Sequence, residues 1–196
     1  SSCEIMSTSV SICVGIAAYN SENTIEAAIN SVLNQSFQEF SIIIVDDCST
    51  DKTPTIIENK FSNDPRITFI RNKNNIGIGL TREKIRQLAS ADYLTWLDAD
   101  DEFLHNRLEK LLAAAQSEGA DLTIDSYYHF NNDGPISIIR PHKRLFGDIS
   151  YTRLLERNGM LPHPLISKNF YRQFEYRDYR SSEDYDYWIR CSMNGA

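Results

Sequence analysis

"FSIIIV", residues 40–45, decides the fold. An almost unbroken apolar run, rich in β-branched residues, belongs to a strand covered on both faces, because a strand with one wet face would alternate. Working outward, Ile12, Val14 and Ile16 recur at spacing two and predict a strand ending near Ala18. Between these strands Ile25, Ala28, Ile29, Val32 and Leu33 fall at helical spacing, with Asn23 as the expected N-cap and Glu26 three residues on. Downstream, Thr53 to Phe61 reads as a short helix, Ile67 to Ile70 as a strand, and Thr81, Ile85, Leu88 and Ala89 as a helix. Tyr93 to Leu97 reads as a strand, Leu108, Leu111, Leu112 and Ala115 as a helix, and "DLTID" (121–125) as one more strand. Strand and helix alternating at such short range predict an α/β fold with a Rossmann-like, mainly parallel central sheet flanked by helices.

After residue 126 the pattern loosens into aromatics, turn residues and a basic patch at Arg140, His142, Lys143 and Arg144, with short helices expected near Tyr151 to Asn158 and from Glu183. The chain has 196 residues, enough for one ample core, and its 41% hydrophobic and 24% charged composition is that of an ordinary globular protein. A formal net charge of −7 argues against nonspecific nucleic-acid binding, which needs a basic surface. No run of about 18 apolar residues suggests a membrane span, and Ser1 to Ser9 has neither the basic start nor the apolar stretch of a signal peptide. Cys3, Cys13, Cys48 and Cys191 lack paired spacing and are read as reduced structural thiols of a cytoplasmic protein.

In open parallel sheets ligands bind beyond the carboxyl ends of the strands. Two predicted strands end there in aspartates: Asp46-Asp47 after "SIIIV", and Asp98-Ala99-Asp100-Asp101 after "YLTWL". Carboxylates spaced as Asp98 and Asp100 are can surround one hard divalent cation, although an acidic turn before a helix near Asn106 would read the same way. Asp46 and Asp47 can accept bonds from a base or ribose, while Ser49, Thr50 and Asp51 can cap the next helix. Tyr19 can stack a planar base or simply close a strand, and Gly77 and Gly79 in "NNIGIGLTRE" (74–83) allow close backbone approach ahead of Arg82. Arg82 would face an anion or solvent. In "RSSEDYDYWIR" (180–190), Glu183 and Asp184 open an amphipathic helix behind Ser181 or Ser182, either as helix-dipole acids or with one serving as a general base.

Taken in chain order, "ICVGIAAYNSENTIEAAINSVLNQSFQEFSIIIVDDCSTDKT" (12–53), "NNIGIGLTRE", "ADYLTWLDADDEFLHNRLEKL" (91–111) and "SSEDYDYWIR" (181–190) resemble the bacterial type of inverting family 2 glycosyltransferases, of GT-A fold. The resemblance implies a nucleotide-diphosphate-sugar donor (a UDP-sugar above all), a Mn²⁺ or Mg²⁺ ion, and transfer with inversion to a carbohydrate or glycolipid acceptor. It places Tyr19, with Glu22 beside it, at the uracil, and Asp47 as the residue reading the base. Ala17, Ala18, Asp46, Gly77, Arg82 and Ala99 complete the donor contacts. Asp100 becomes the principal metal ligand, Asp98 acts through ribose or a metal-bound water, and Asp184 becomes the catalytic base with Glu183 as its neighbour. Ala17 and Gly15 depart from the proline and large aliphatic common at those positions, and Thr81-Arg82-Glu83 and His105 depart from Ala-Arg-Asn and a proline. A histidine that some relatives add to the metal shell is expected beyond Ala196.

On this reading residues 1–9 are a disordered or non-native start, residues 10–126 hold the nucleotide sugar, and residues 127–196 form an acceptor-binding half that continues past Ala196. Location is cytoplasmic, extending to peripheral contact with the inner face of the membrane. Neither the particular sugar nor an oligomeric state is readable. Two rivals share parts of the pattern. A nucleotidyltransferase would show a glycine-rich, basic first loop, which "AAYNSENT" (17–24) lacks. A phosphoreceiver domain would carry its Asp-Asp pair on the first strand, not after a complete strand and helix.

Overall fold

The computed structural model describes residues 9–131, 134–139, 163–179 and 183–193. The basic patch, the helix expected near residues 151–158 and the serines at 181 and 182 lie outside them. β1 (Ile12–Ala18), β2 (Phe40–Asp46), β3 (Ile67–Arg71) and β4 (Tyr93–Trp96) are parallel neighbours in a six-stranded sheet. Its order is β3-β2-β1-β4-β8-β5, where β5 is Leu122–Thr123 and β8, Leu165–Ser167, runs antiparallel to both of its neighbours. The expected mainly parallel sheet is present, and the later half of the chain supplies one of its inner strands.

Alternation within the strands shows why Ile42 to Val45 have to be apolar. Ile42 and Ile44 join Ile12, Val14 and Ile16 in one core, under α1 (Ile25–Leu33), α2 (Thr53–Phe61) and α4 (Arg107–Glu118). Ile43 and Val45 point the other way, joining Cys13, Leu94 and Trp96 under α3 (Ile78–Leu88), α5 (Lys168–Tyr171) and α6 (Glu183–Met193). Burial on both faces costs no alternation and gains apolar area on each. Cys13 and Cys191 belong to this second core, where burial pushes both thiols up to about 12 and keeps them out of thiolate chemistry.

Several boundaries differ from the sequence expectation. Thr24, not Asn23, occupies the α1 N-cap position and makes no side-chain cap bond; its hydroxyl donates to the Ser21 carbonyl at 3.4 Å, which also accepts the Thr24 and Ile25 N–H groups. α3 starts before Thr81, at Ile78, directly after Gly77 at φ 86°, a conformation open to glycine and costly elsewhere. The strand expected over 121–125 shortens to β5, Leu122–Thr123, and two residues later the Asp125 carboxylate turns to Arg107. The loosely patterned stretch contains a hairpin of β6 (Tyr127–Asn131) and β7 (Gly134–Ile139), together with β8 and α5.

Gly15 marks the tightest packing between β1 and β4. A Cβ there would meet Trp96 Cζ3 at 2.6 Å and Ile85 Cγ2 at 2.7 Å, so the large aliphatic common at this position in similar sequences has no room. Gly15→Ala is expected to cost about 1–3 kcal/mol by overpacking, read as a lowered urea midpoint. An unchanged midpoint would mean that Trp96 yields freely.

Candidate active site

Because β1, β2 and β4 are parallel and in register, with Ala18 opposite Asp46 and Gly15 opposite Trp96, they deliver Tyr19, Asp47 and Asp98 to one rim of the sheet. The loops after β1 and β2 are laced together. Asn20 N–H donates to Ser49 Oγ at 2.9 Å, Ser21 N–H to Thr53 Oγ1 at 2.7 Å, and Glu22 N–H to Asp51 Oδ2 at 3.0 Å. In return the Glu22 carboxylate accepts the Lys52 N–H at 3.0 Å. Lys52, not Ser49, Thr50 or Asp51, occupies the α2 N-cap position and makes no side-chain cap bond, while Asp51 just before it accepts the Thr53 N–H at 2.9 Å. Ala17 and Ala18 form the end of β1, and Tyr19 stands half-exposed above the loops.

Asp46 and Asp47 turn into the protein. Asp46 is fully buried, accepting the Ser49 N–H and pairing with Arg71 at 3.3 Å. Asp47 accepts Asn72 Nδ2 and Ile76 N–H on one oxygen, both at 2.9 Å, and Gly77 N–H on the other at 2.8 Å. It therefore shapes the loop between β3 and α3.

Arg82 is held largely out of solvent, at the edge of a cleft. Its side chain is 9% exposed, with Nη1 on Glu183 at 2.5 Å and Nη2 on Asp98 at 2.8 Å, and the guanidinium lies 5.7 Å from the Trp96 ring centroid. Burial works against its charge, and the carboxylates of Asp98, Glu183 and Asp184, with Tyr176, more than offset this and hold it protonated. Arg82 thus ties the end of β4 to the first turn of α6. Removing one partner of a buried pair leaves the other uncompensated, so Arg82→Met is expected to cost about 3–5 kcal/mol. Urea denaturation measures it, and a loss below about 1 kcal/mol would show that Glu183 finds water instead.

α6 is pressed against β4 by aromatic rings: Tyr187 stacks on Tyr176 at 4.3 Å, and Tyr176 meets Trp96 edge-on at 5.4 Å. This packing sets Glu183 inward and leaves Asp184 partly exposed on the wall of a cleft of about 170 Å³, lined also by Arg82, Asp98, His163 and Trp188.

Around Asp98 and His163, which also line the cleft, the oxygens of Asp98 and Asp101 and a ring nitrogen of His163 all lie within 4.8 Å of one another. His163 Nε2 is 3.0 Å from Asp101 Oδ2 and 3.8 Å from Asp98 Oδ2, and the bond from His163 holds the Asp101 carboxyl below its usual range. An octahedral ion with ligands at about 2.1 Å sets neighbouring donors roughly 3 Å apart and opposite ones roughly 4 Å apart. The spacing therefore suits one divalent cation held between two carboxylates and an imidazole. The membership differs from the sequence expectation: Asp101 and His163 join Asp98, Asp100 stays exposed outside the group, and buried Ala99 separates them. His163 comes from the chain just ahead of β8, where no periodicity marks it. The site histidine was expected beyond Ala196.

The sequence profile of the family described as Glycosyl transferase family 2 matches residues 13–179. The chain belongs to glycosyl transferase family 2. Among family relatives, an uncharacterised glycosyltransferase of Methanocaldococcus jannaschii is 32% identical over 188 residues, covering 93% of this chain and 65% of its own. The putative teichuronic acid biosynthesis glycosyltransferase TuaG of Bacillus subtilis is 29% identical over 181 residues, covering 91% of this chain and 70% of its own. Staphylococcus aureus TarS 1–349, solved with UDP, superposes with a TM-score of 0.77 at 22% identity over 94% of this chain and 56% of that one. The fold of this family 2 chain is accordingly GT-A type. The chain spans about two thirds of the length of the M. jannaschii relative and little more than half of TarS 1–349.

Proposed function

We propose that this protein transfers a sugar from a nucleotide-diphosphate donor, a UDP-sugar, to an acceptor hydroxyl with inversion and with the help of a divalent cation. The observation that carries the reading is the cleft that Asp184 lines together with Asp98 and His163, two members of the Asp98, Asp101 and His163 group. Family membership and the UDP-bound TarS neighbour support the donor class. Residues 10–126 would hold the donor, with Tyr19 and the laced loops against the base and Asp47 fixing the Ile76–Gly77 backbone beside it. Residues 127–196 would contribute to the acceptor side. The name of TuaG supports a cell-surface polysaccharide or its glycolipid precursor as acceptor. None of the described helices is long and apolar enough to cross a membrane, and the proposed place of action is the cytoplasm, up to the inner face of the membrane.

In this mechanism Asp184 takes the proton of the acceptor hydroxyl as that oxygen attacks the anomeric carbon. The bond from that carbon to the diphosphate breaks on the opposite face, and the leaving diphosphate carries the electron pair. Asp98, Asp101 and His163 would hold the cation, with Asp100 a further carboxylate in the same turn. Once bound, the cation supplies Lewis-acid stabilisation of the diphosphate charge. Arg82 keeps Asp98 oriented and engages Glu183 in an ion pair, which leaves Asp184 as the carboxylate that works.

The test is a panel of nucleotide sugars incubated with a lipid-linked or oligosaccharide acceptor and Mn²⁺, followed by NMR of the product's anomeric configuration. Transfer from a UDP-sugar with inverted configuration is the expected result. Retained configuration, or transfer undiminished by EDTA, would contradict the proposal.

A further inference from the structure

Arg107 stands at the first position of α4, where the helix dipole disfavours a cation, and its side chain is only 9% exposed. Asp125 compensates the charge through two bonds of 2.9 and 3.0 Å, and the Phe103 ring lies 4.2 Å below the guanidinium. An ion pair alone would not require a buried arginine here. Its Nη2 makes one more bond, to the backbone carbonyl of His163 at 2.6 Å, and Thr95 Oγ1 donates to the same carbonyl at 3.1 Å.

His163 needs such a hold. Its φ of 64° is left-handed, which is unfavourable for a residue with a Cβ, and Pro164 follows it, which pushes a preceding residue toward extended backbone instead. A metal-binding histidine is usually oriented by a hydrogen bond from its second ring nitrogen. His163 Nδ1 is buried and has no such partner among the described residues. With Nδ1 unpartnered among the described residues and only Nε2 held, by Asp101, the direction of the ring depends on the backbone that carries it.

We propose that Arg107, braced by Asp125, is a positioning residue for the cation site, fixing the His163 backbone so that the imidazole faces Asp98 and Asp101. The inference rests on the reading of those three residues as a cation site. It assigns a task to a charge that neither the nucleotide-sugar contacts nor the proton transfer uses, a few residues past the acidic cluster in sequence.

Mn²⁺ affinity of the full protein in the presence of UDP, read from the EPR signal of free Mn²⁺, tests it without any assay of transfer. Arg107→Met and His163→Ala are each expected to weaken Mn²⁺ binding by about tenfold or more, as loss of a ligand or of its supporting bond does. The double variant should be no weaker than His163→Ala alone. A merely structural Arg107 would lower the melting temperature and leave the Mn²⁺ affinity of the folded protein unchanged, and that result would overturn the proposal. If Arg107→Met does not fold, Thr95→Val, which removes the other donor to the same carbonyl, decides: a smaller loss in the same direction supports the clamp, and wild-type affinity overturns it. Wild-type affinity in His163→Ala would instead refute the cation site itself.

Discussion

Asp184→Asn is expected to lower sugar transfer by about 10²-fold or more, the typical contribution of a general base, while leaving UDP binding unchanged. Two carboxylates compete for the role. Glu183 is buried with its oxygen on Arg82, so taking a proton would dismantle an ion pair that positions α6. Asp184 is partly exposed on the cleft, and among the described residues its carboxylate accepts the N–H of the next residue, Tyr185. A base acts on the acceptor's proton and not on the nucleotide, which is why donor binding should survive its loss. Steady-state transfer with the true acceptor, paired with UDP titration, separates the two. Normal transfer by Asp184→Asn with none by Glu183→Gln would reverse the assignment.

Asp98→Asn is expected to weaken Mn²⁺-supported UDP binding by about 10- to 100-fold. Asp98 has two jobs in this site: one oxygen accepts Arg82 at 2.8 Å, and the other faces His163 across the candidate cation position. Arg82 keeps Glu183 as a partner in this variant, so the fold should hold while the cation site fails. Calorimetric titration of UDP with Mn²⁺ gives the affinity, and circular dichroism checks the fold. Asp100→Asn and Asp101→Asn in the same titration separate the two carboxylates. A loss confined to Asp101→Asn would place the cation where His163 stands, and a loss confined to Asp100→Asn would place it on the exposed side of the turn.

The central sheet was legible in the sequence because burial on both faces writes itself into composition: Ile42 to Val45 admit no polar residue. The rim was legible for the same reason, since parallel strands must end on one side and their last residues, Tyr19, Asp47 and Asp98, follow directly. What the aspartates do there was less legible. Asp47 resembles a ligand-facing carboxylate, yet three protein donors already occupy it, and sequence spacing records no partner arriving from residues 72–77. The sequence left Arg82 facing an anion or solvent and showed neither of the two carboxylates, Asp98 and Glu183, that pair with it at the cleft. His163 and Arg107 were missed as site residues because each depends on a contact across more than fifty positions. One cue was available: a histidine directly before a proline, after a stretch without regular pattern, is a place where backbone conformation needs outside support.

Stabilisation of the protein by UDP, with Mn²⁺ and with EDTA, tests the account most directly. Ligand at about 100 times its Kd adds about 2.7 kcal/mol to the native state, or roughly 5–10 °C in Tm for a chain of this size. The account predicts a shift of that order with UDP and Mn²⁺, a much smaller one with UDP and EDTA, and loss of the difference in the Asp98→Asn, Asp101→Asn double variant. Equal shifts with Mn²⁺ and with EDTA would contradict it.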